Sequence, residues 1–214
     1  MQTDALIDRL VRDAGPVRPL RPAWLRCLGW LALATGFAAF TMVLMSPRPD
    51  LAEQLRETRF WIEQLAALAT AVLAAHAALA LSVPGTDGRV ALAPILPAML
   101  WLGSQGVGCL SALTGRSAVS ITAEPACLVL IAFAGSVPAV ALVAMLRRGY
   151  PVRPRLNLAL AVLAAAALGN VSLRLFHMQD AALMVLIWQT GSVALLSFVG
   201  WLLGPTVLDR PVAA

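Results

Sequence analysis

The chain has 214 residues, of which 60% are hydrophobic and 13% charged, and a formal net charge of +5. A soluble domain is nearer half apolar and a quarter charged, so a mean hydropathy of +0.81 excludes an ordinary soluble fold. All sixteen basic residues are arginine, a bias that fits a high-GC bacterium. No basic patch with interleaved aromatics accompanies them, so direct nucleic-acid binding is not expected.

Residues 3–14 open the chain as a short amphipathic helix. Leu6, Ile7, Leu10 and Val11 recur at i, i+1, i+4 and i+5 and make one apolar stripe. Thr3 caps the start, and Asp4 suits the positive end of the dipole. Asp8 with Arg12, and Arg9 with Asp13, pair at i,i+4. Gly15-Pro16 ends the helix, and Pro16, Pro19 and Pro22 with Arg18 and Arg21 form a stiff basic connector. A helix this short is not stable alone in water and must lay its stripe on something. The residues leave two choices open: the membrane surface, where arginine meets anionic lipid, or a groove on a partner protein.

Six apolar stretches follow, at 24–45, 64–83, 90–113, 126–146, 156–176 and 181–203. A bilayer core about 30 Å thick needs about 20 apolar residues of helix to cross it. The first stretch follows several arginines and precedes five more stretches, without a cleavage site, so it does not read as a signal peptide. The expected fold is therefore all-α: an integral membrane bundle of six transmembrane helices, with a cytoplasmic amphipathic segment at 1–23, the bundle at 24–205 and a tail at 206–214. Residues 51–64 are rich in helix formers, so the second membrane helix is expected to extend above the bilayer. With the N-terminus inside, inner segments hold Arg9, Arg12, Arg18, Arg21, Arg26, Arg89, Arg147, Arg148, Arg153, Arg155 and Arg210. Outer segments hold Arg48, Arg56, Arg59, Arg116 and Arg174. That is eleven against five, and the positive-inside rule gives N-in and C-in topology. Trp24 and Trp30 near one edge, and members of the set Trp61, Trp101, Trp188 and Trp201, are candidate interfacial anchors.

The spans hold almost no ionisable groups; His76 is the one placed well inside, and a structural, hydrogen-bonded role is expected for it. Gln105, Asn170 and Gln189 are expected to join helices by hydrogen bonds, and Gly200-x-x-x-Gly204 to pack one helix closely on another. Pro94 and Pro97 fall in a first helical turn if the third helix starts near Ala93. No metal-site spacing, nucleophile with its base, or phosphate loop is present, so no cofactor and no enzymatic activity are expected. Cys109, Cys127, His177 and Met178 all map to the outer face. In a bacterium that face is the periplasm, where disulfides persist, and thiolate with imidazole suits soft or borderline metals. Membrane cysteines also serve as small apolar packing residues.

Taken in order, several short motifs resemble the NrsF family, the negative regulators of sigma-F. They are Thr3-Asp-x-Leu-Ile-x-x-Leu10, Pro16-Val-Arg-Pro-Leu20, Cys127 with Pro138, Arg147-Arg-Gly-Tyr-Pro-x-x-Pro154, His177, Trp188 and Leu203-Gly-Pro205. The resemblance implies an anti-sigma factor of the bacterial inner membrane. It would sequester an extracytoplasmic-function sigma factor and release it on a periplasmic stress signal, a metal or an oxidant. It points to Leu6, Ile7, Leu10 and Val11 as partner contacts, with Asp8, Arg9 and Arg12 setting register. Members linked to heavy-metal response carry two outer-face cysteines. One matches Cys127, and the other falls on Met178, where this chain departs from the pattern. Cys109 as a substitute, Met178 as a metal contact, and loss of sensing are then the three readings. From other classes, a small transporter or channel subunit would need polar residues converging at mid-membrane. A membrane enzyme would need more than the loose outer group of His177, Asp180, Glu124 and Arg174.

Overall fold

A computed structural model describes residues 3–13, 19–111, 126–178 and 185–208, and these are all helix and connecting turns. In chain order the helices are α1 (Thr3–Asp13), α2 (Ala23–Met45), the single turn α3 (Leu51–Gln54), α4 (Thr58–Ala80), α5 (Ile95–Ser111), α6 (Ala126–Arg147), α7 (Pro154–Phe176) and α8 (Gly191–Leu208). A 3₁₀ turn, Gly88–Leu92, precedes α5, and a π turn, Val185–Thr190, leads into α8. Five of the described helices are long and apolar enough to cross a membrane: α2, α4, α6, α7 and the stretch Ile187–Leu208. A helix of 23 residues is about 34 Å long, enough for a bilayer core with some tilt. Helix α5 is a 17-residue apolar helix packed on α4.

The helix bounds differ from the hydropathy boundaries for local reasons. The third helix begins at Ile95, five residues later than 90, because Gly88–Leu92 is wound as a 3₁₀ turn whose start is capped by Asp87. Pro94 and Pro97 then sit just before and within the first turn, where a missing N–H costs nothing. The second membrane helix begins at Thr58 rather than Gln64, so it does extend beyond its most apolar part. Ser46 ends α2 at φ +63°, a conformation that favours glycine.

Helix α7 is the hub. Every residue from Ala164 to Asn170 is buried, which means that all of its faces are covered. It packs on α4, α6 and α8, and more lightly on α2. Small residues make this possible by letting backbones approach closely. A Cβ on Gly169 would lie 2.5 Å from the Ile131 carbonyl oxygen, and one on Gly135 would lie 2.8 Å from that of Ala165. The glycine pair expected in the last span behaves likewise: a Cβ on Gly200 would meet Val162 at 2.8 Å, and one on Gly204 would meet Arg155 Cα at 2.5 Å. The facing surface of α4 is a run of buried alanines, Ala66, Ala67, Ala71, Ala74, Ala75, Ala77 and Ala78.

Two tryptophans read as candidate anchors are core residues instead. Trp30 is fully buried, and its indole N–H donates to the Pro138 carbonyl (3.0 Å), tying α2 to α6; Trp101 is also buried. Trp24 and Trp61 remain exposed near the starts of their helices, and Trp201 is exposed within α8.

Candidate functional site

Helix α1 carries the apolar stripe the sequence predicts, and its described side chains are largely uncovered. Ile7, Leu10 and Val11 are each more than half exposed, and Asp8, Arg9 and Arg12 are exposed beside them. Arg12 donates back to the Asp8 carbonyl (3.2 Å), which closes the last turn of the helix. The Leu6 side chain lies outside the described part of the molecule.

At the end of the bundle carrying the connector, the helix ends are stitched together by Arg26. Its guanidinium donates to the Leu79 carbonyl (2.8 Å) at the C-terminus of α4 and to Ser82 Oγ (3.2 Å). A cation suits the exposed carbonyls and negative dipole there. Ser82 in turn accepts from the Tyr150 N–H (2.9 Å) through its own carbonyl, which ties the α4–α5 turn to the α6–α7 turn. Asn157 Nδ2 donates to the Ala78 carbonyl (2.9 Å), locking the start of α7 to the same place.

The opposite, distal end is organised around the C-terminus of α7. Arg48 is fully buried; it forks onto Asp50 with two 2.7 Å bonds, and its backbone N–H donates to the Leu175 carbonyl (3.1 Å). That fork holds the Asp50 carboxyl below the usual carboxylate range. One residue before Leu175, Arg174 meets Glu63 of α4 at 3.1 Å, with both side chains nearly closed to solvent (8% and 5% exposed). Glu63 also accepts from Arg59 at 2.7 Å, and the Arg174 guanidinium sits 5.8 Å from the Phe60 ring centre. A cavity of about 120 Å³ opens beside this group, lined by Gln54, Glu57, Arg59, Phe60, Glu63, Gln105 and Arg174.

The residues read as sensors occupy this same distal end in different ways. Cys127, in the first turn of α6, is buried among Trp101, Ile131, Ala66, Ala67, Leu173 and Val193. His177 caps α7, donating its N–H to the Leu173 carbonyl (2.8 Å), and Met178 beside it is exposed. Cys109 lies in the last turns of α5, with its side chain outside the described part. Among the described residues, no group of three or more His, Cys, Asp and Glu is placed to hold a metal ion.

The NrsF family model, Negative regulator of sigma F, matches residues 10–209. The chain belongs to the NrsF family. No curated protein and no solved structure matches it. As an NrsF protein it is an anti-sigma factor, and its apolar helices make it a multi-pass membrane protein. The match begins at Leu10, so most of α1 precedes it.

Several polar residues of this NrsF chain do other work than the sequence indicates. The helix-joining hydrogen bonds come from Asn157 and from Gln64, whose Nε2 donates to the Val171 carbonyl (3.3 Å). Gln105 instead lines the distal cavity. Among the described residues, Asn170 Oδ1 and both amide atoms of Gln189 are buried without a hydrogen-bond partner. His76 is half-buried and, among the described residues, makes no side-chain hydrogen bond. The buried Glu63–Arg174 pair is the feature a hydropathy reading misses, because each residue falls at the margin of its apolar run. The signal was available: an arginine inside a span demands a partner, and Glu63 shares the face of α4 that carries the alanines.

Proposed function

We propose that this protein holds an extracytoplasmic-function sigma factor at the inner membrane through α1 and frees it when a signal reaches the distal, periplasmic end. The observation that carries this is the uncovered stripe of α1 in a member of an anti-sigma family. Leu6, Ile7, Leu10 and Val11 enter a groove on the sigma factor, and Asp8, Arg9 and Arg12 set the register. Both termini are cytoplasmic and six helices cross the bilayer. The arginine imbalance and the apolar character of α5 support that topology.

Cys127, with Cys109, His177 and Met178 assigned to the same outer face, receives a metal ion or an oxidant. Because Cys127 is buried, the signal acts on a bundle state in which the start of α6 has opened from α7. A ligand shifts such an equilibrium only by its differential affinity for the two states. Helix α7 carries the change, since its C-terminus is clamped by Arg48 and Arg174 and its N-terminus is tied to the cytoplasmic turns by Asn157.

The test is co-purification of the detergent-solubilised protein with the sigma factors of its host, with and without residues 1–23. Retention by the full chain alone is the expected result, and Leu6→Asp with Leu10→Asp removes it. Full repression by that double variant would sink the docking role of α1. Cys127→Ser is expected to change induction by metal or oxidant, and an unchanged response removes that cysteine from the mechanism.

A further inference from the structure

A groove of about 780 Å³ lies where the connector enters α2, beside the end of α6. Its size is within the range of small-molecule sites. Leu25, Gly29 and Met145 line it with apolar surface, and Arg21 and Arg148 stand at it from the two sides. Arg26, the third cation there, is already committed to Leu79, Ser82 and Arg21 backbone or hydroxyl oxygens. Among the described residues, the Arg21 and Arg148 guanidiniums have neither a hydrogen-bond nor an ion-pair partner. Gly29 leaves a gap in the wall, for an added Cβ would meet nothing within 4 Å. Exposed Trp24, and Arg155 stacked 4.8 Å over Trp201, place this level at the boundary of the apolar layer, where amphipathic side chains collect.

We infer that the groove is a site for an anionic phospholipid. The phosphodiester takes the Arg21 and Arg148 guanidiniums, and an acyl chain runs along Leu25, Gly29 and Met145. Basic pockets between membrane helices recognise anionic headgroups in this way. The apolar trough selects a lipid over a free phosphate, and the doubled positive charge selects an anionic lipid over a zwitterionic one. Bound there, the lipid fixes the connector on which α1 is hung. The site needs only the membrane placement of the bundle and stands whether or not α1 docks a sigma factor.

The experiment uses the full-length protein in nanodiscs containing phosphatidylglycerol and phosphatidylcholine, with native mass spectrometry reading the lipid that stays bound after release. Phosphatidylglycerol is expected to be enriched. Arg21→Gln with Arg148→Gln is expected to lower that enrichment by about tenfold to thirtyfold, the scale of two interfacial arginines. Gly29→Leu, which the open space accepts, is expected to displace the bound lipid while the melting temperature in lipid-free detergent stays at or above wild type. Equal retention of the two lipids would overturn the inference, as would enrichment that survives the double substitution. Release of phosphatidylglycerol by soluble glycerol phosphate would remove the role of the trough. A double substitution that abolished sigma-factor retention and left lipid enrichment intact would make the groove a protein dock and refute the lipid site.

Discussion

Two ion pairs share Glu63, and their separations rank them in the wrong order. Arg59 lies closer, at 2.7 Å, but its side chain is 45% exposed; Arg174 lies at 3.1 Å and is 8% exposed. An exposed i,i+4 pair is worth about 0.3–0.5 kcal/mol, because water screens it and two long side chains must be ordered. For unit charges 3.1 Å apart at an effective dielectric constant near 20, Coulomb's law gives about 5 kcal/mol. Desolvation of both groups offsets part of that, and coupling between contacting charges falls in the range of about 1–3 kcal/mol. Double-mutant cycles with Glu63→Gln, Arg174→Met and Arg59→Met, read by reversible unfolding in mixed micelles, measure both couplings. Glu63 with Arg174 is expected to exceed Glu63 with Arg59 by at least about twofold. Each single change at the buried pair is expected to cost more than half of the double change, because it removes one partner from a buried charge. A coupling with Arg59 equal to or larger than that with Arg174 would refute the claim that burial ranks these pairs.

Packing gives a second contrast. Gly169→Ala is expected to destabilise by about 1–3 kcal/mol through overpacking against Ile131, while Gly29→Ala is expected to be neutral or stabilising; equal effects in thermal melts would contradict the close α6–α7 crossing. Burial of Cys127 predicts slow maleimide labelling in the native protein and fast labelling once unfolded, and equal rates would place the thiol at the surface. The Arg48–Asp50 fork lowers the folded-state pKa of Asp50, so its stabilisation is complete above the ordinary carboxylate range and is lost as pH falls below it. Asp50→Asn is therefore expected to weaken the acid limb of a stability–pH profile and to leave its slope between pH 6 and 8 unchanged, the range being well above a carboxylate pKa of about 4.

Much of the architecture was legible because lipid imposes it. Stretches of apolar residues must be helices, and the Gly200–Gly204 spacing already indicated a close crossing. The amphipathic period of α1 was equally plain in Leu6, Ile7, Leu10 and Val11. Three-dimensional partners were not legible. Nothing in the spacing of Glu63 and Arg174, 111 residues apart, says that they meet. Likewise Gln189 is as polar as Gln64, yet among the described residues one has no partner and the other bridges two helices, because only packing decides which carbonyl lies in reach. The depth of Cys127 followed from its place on the α7-facing side of α6, which the position of the residue in the chain does not encode.

The central place of α7 also orders the birth of the molecule. Membrane proteins enter the bilayer from the N-terminus as they are made, and α7 is the last but one of the described helices to emerge. It carries Asn157, Asn170, Ser172 and Arg174, and all four are buried in the finished bundle. A segment with that content enters lipid reluctantly by itself. Until α7 arrives, α4 and α6 have lost the neighbour against which each packs most heavily, and their alanine and glycine faces stay open to lipid. Biogenesis is thereby back-loaded: the ribosome has passed residue 176 before the bundle can close, and Gly200 and Gly204 of α8 seal it afterwards. Any chain truncated ahead of that point is left as loosely associated spans, a natural substrate for membrane proteases.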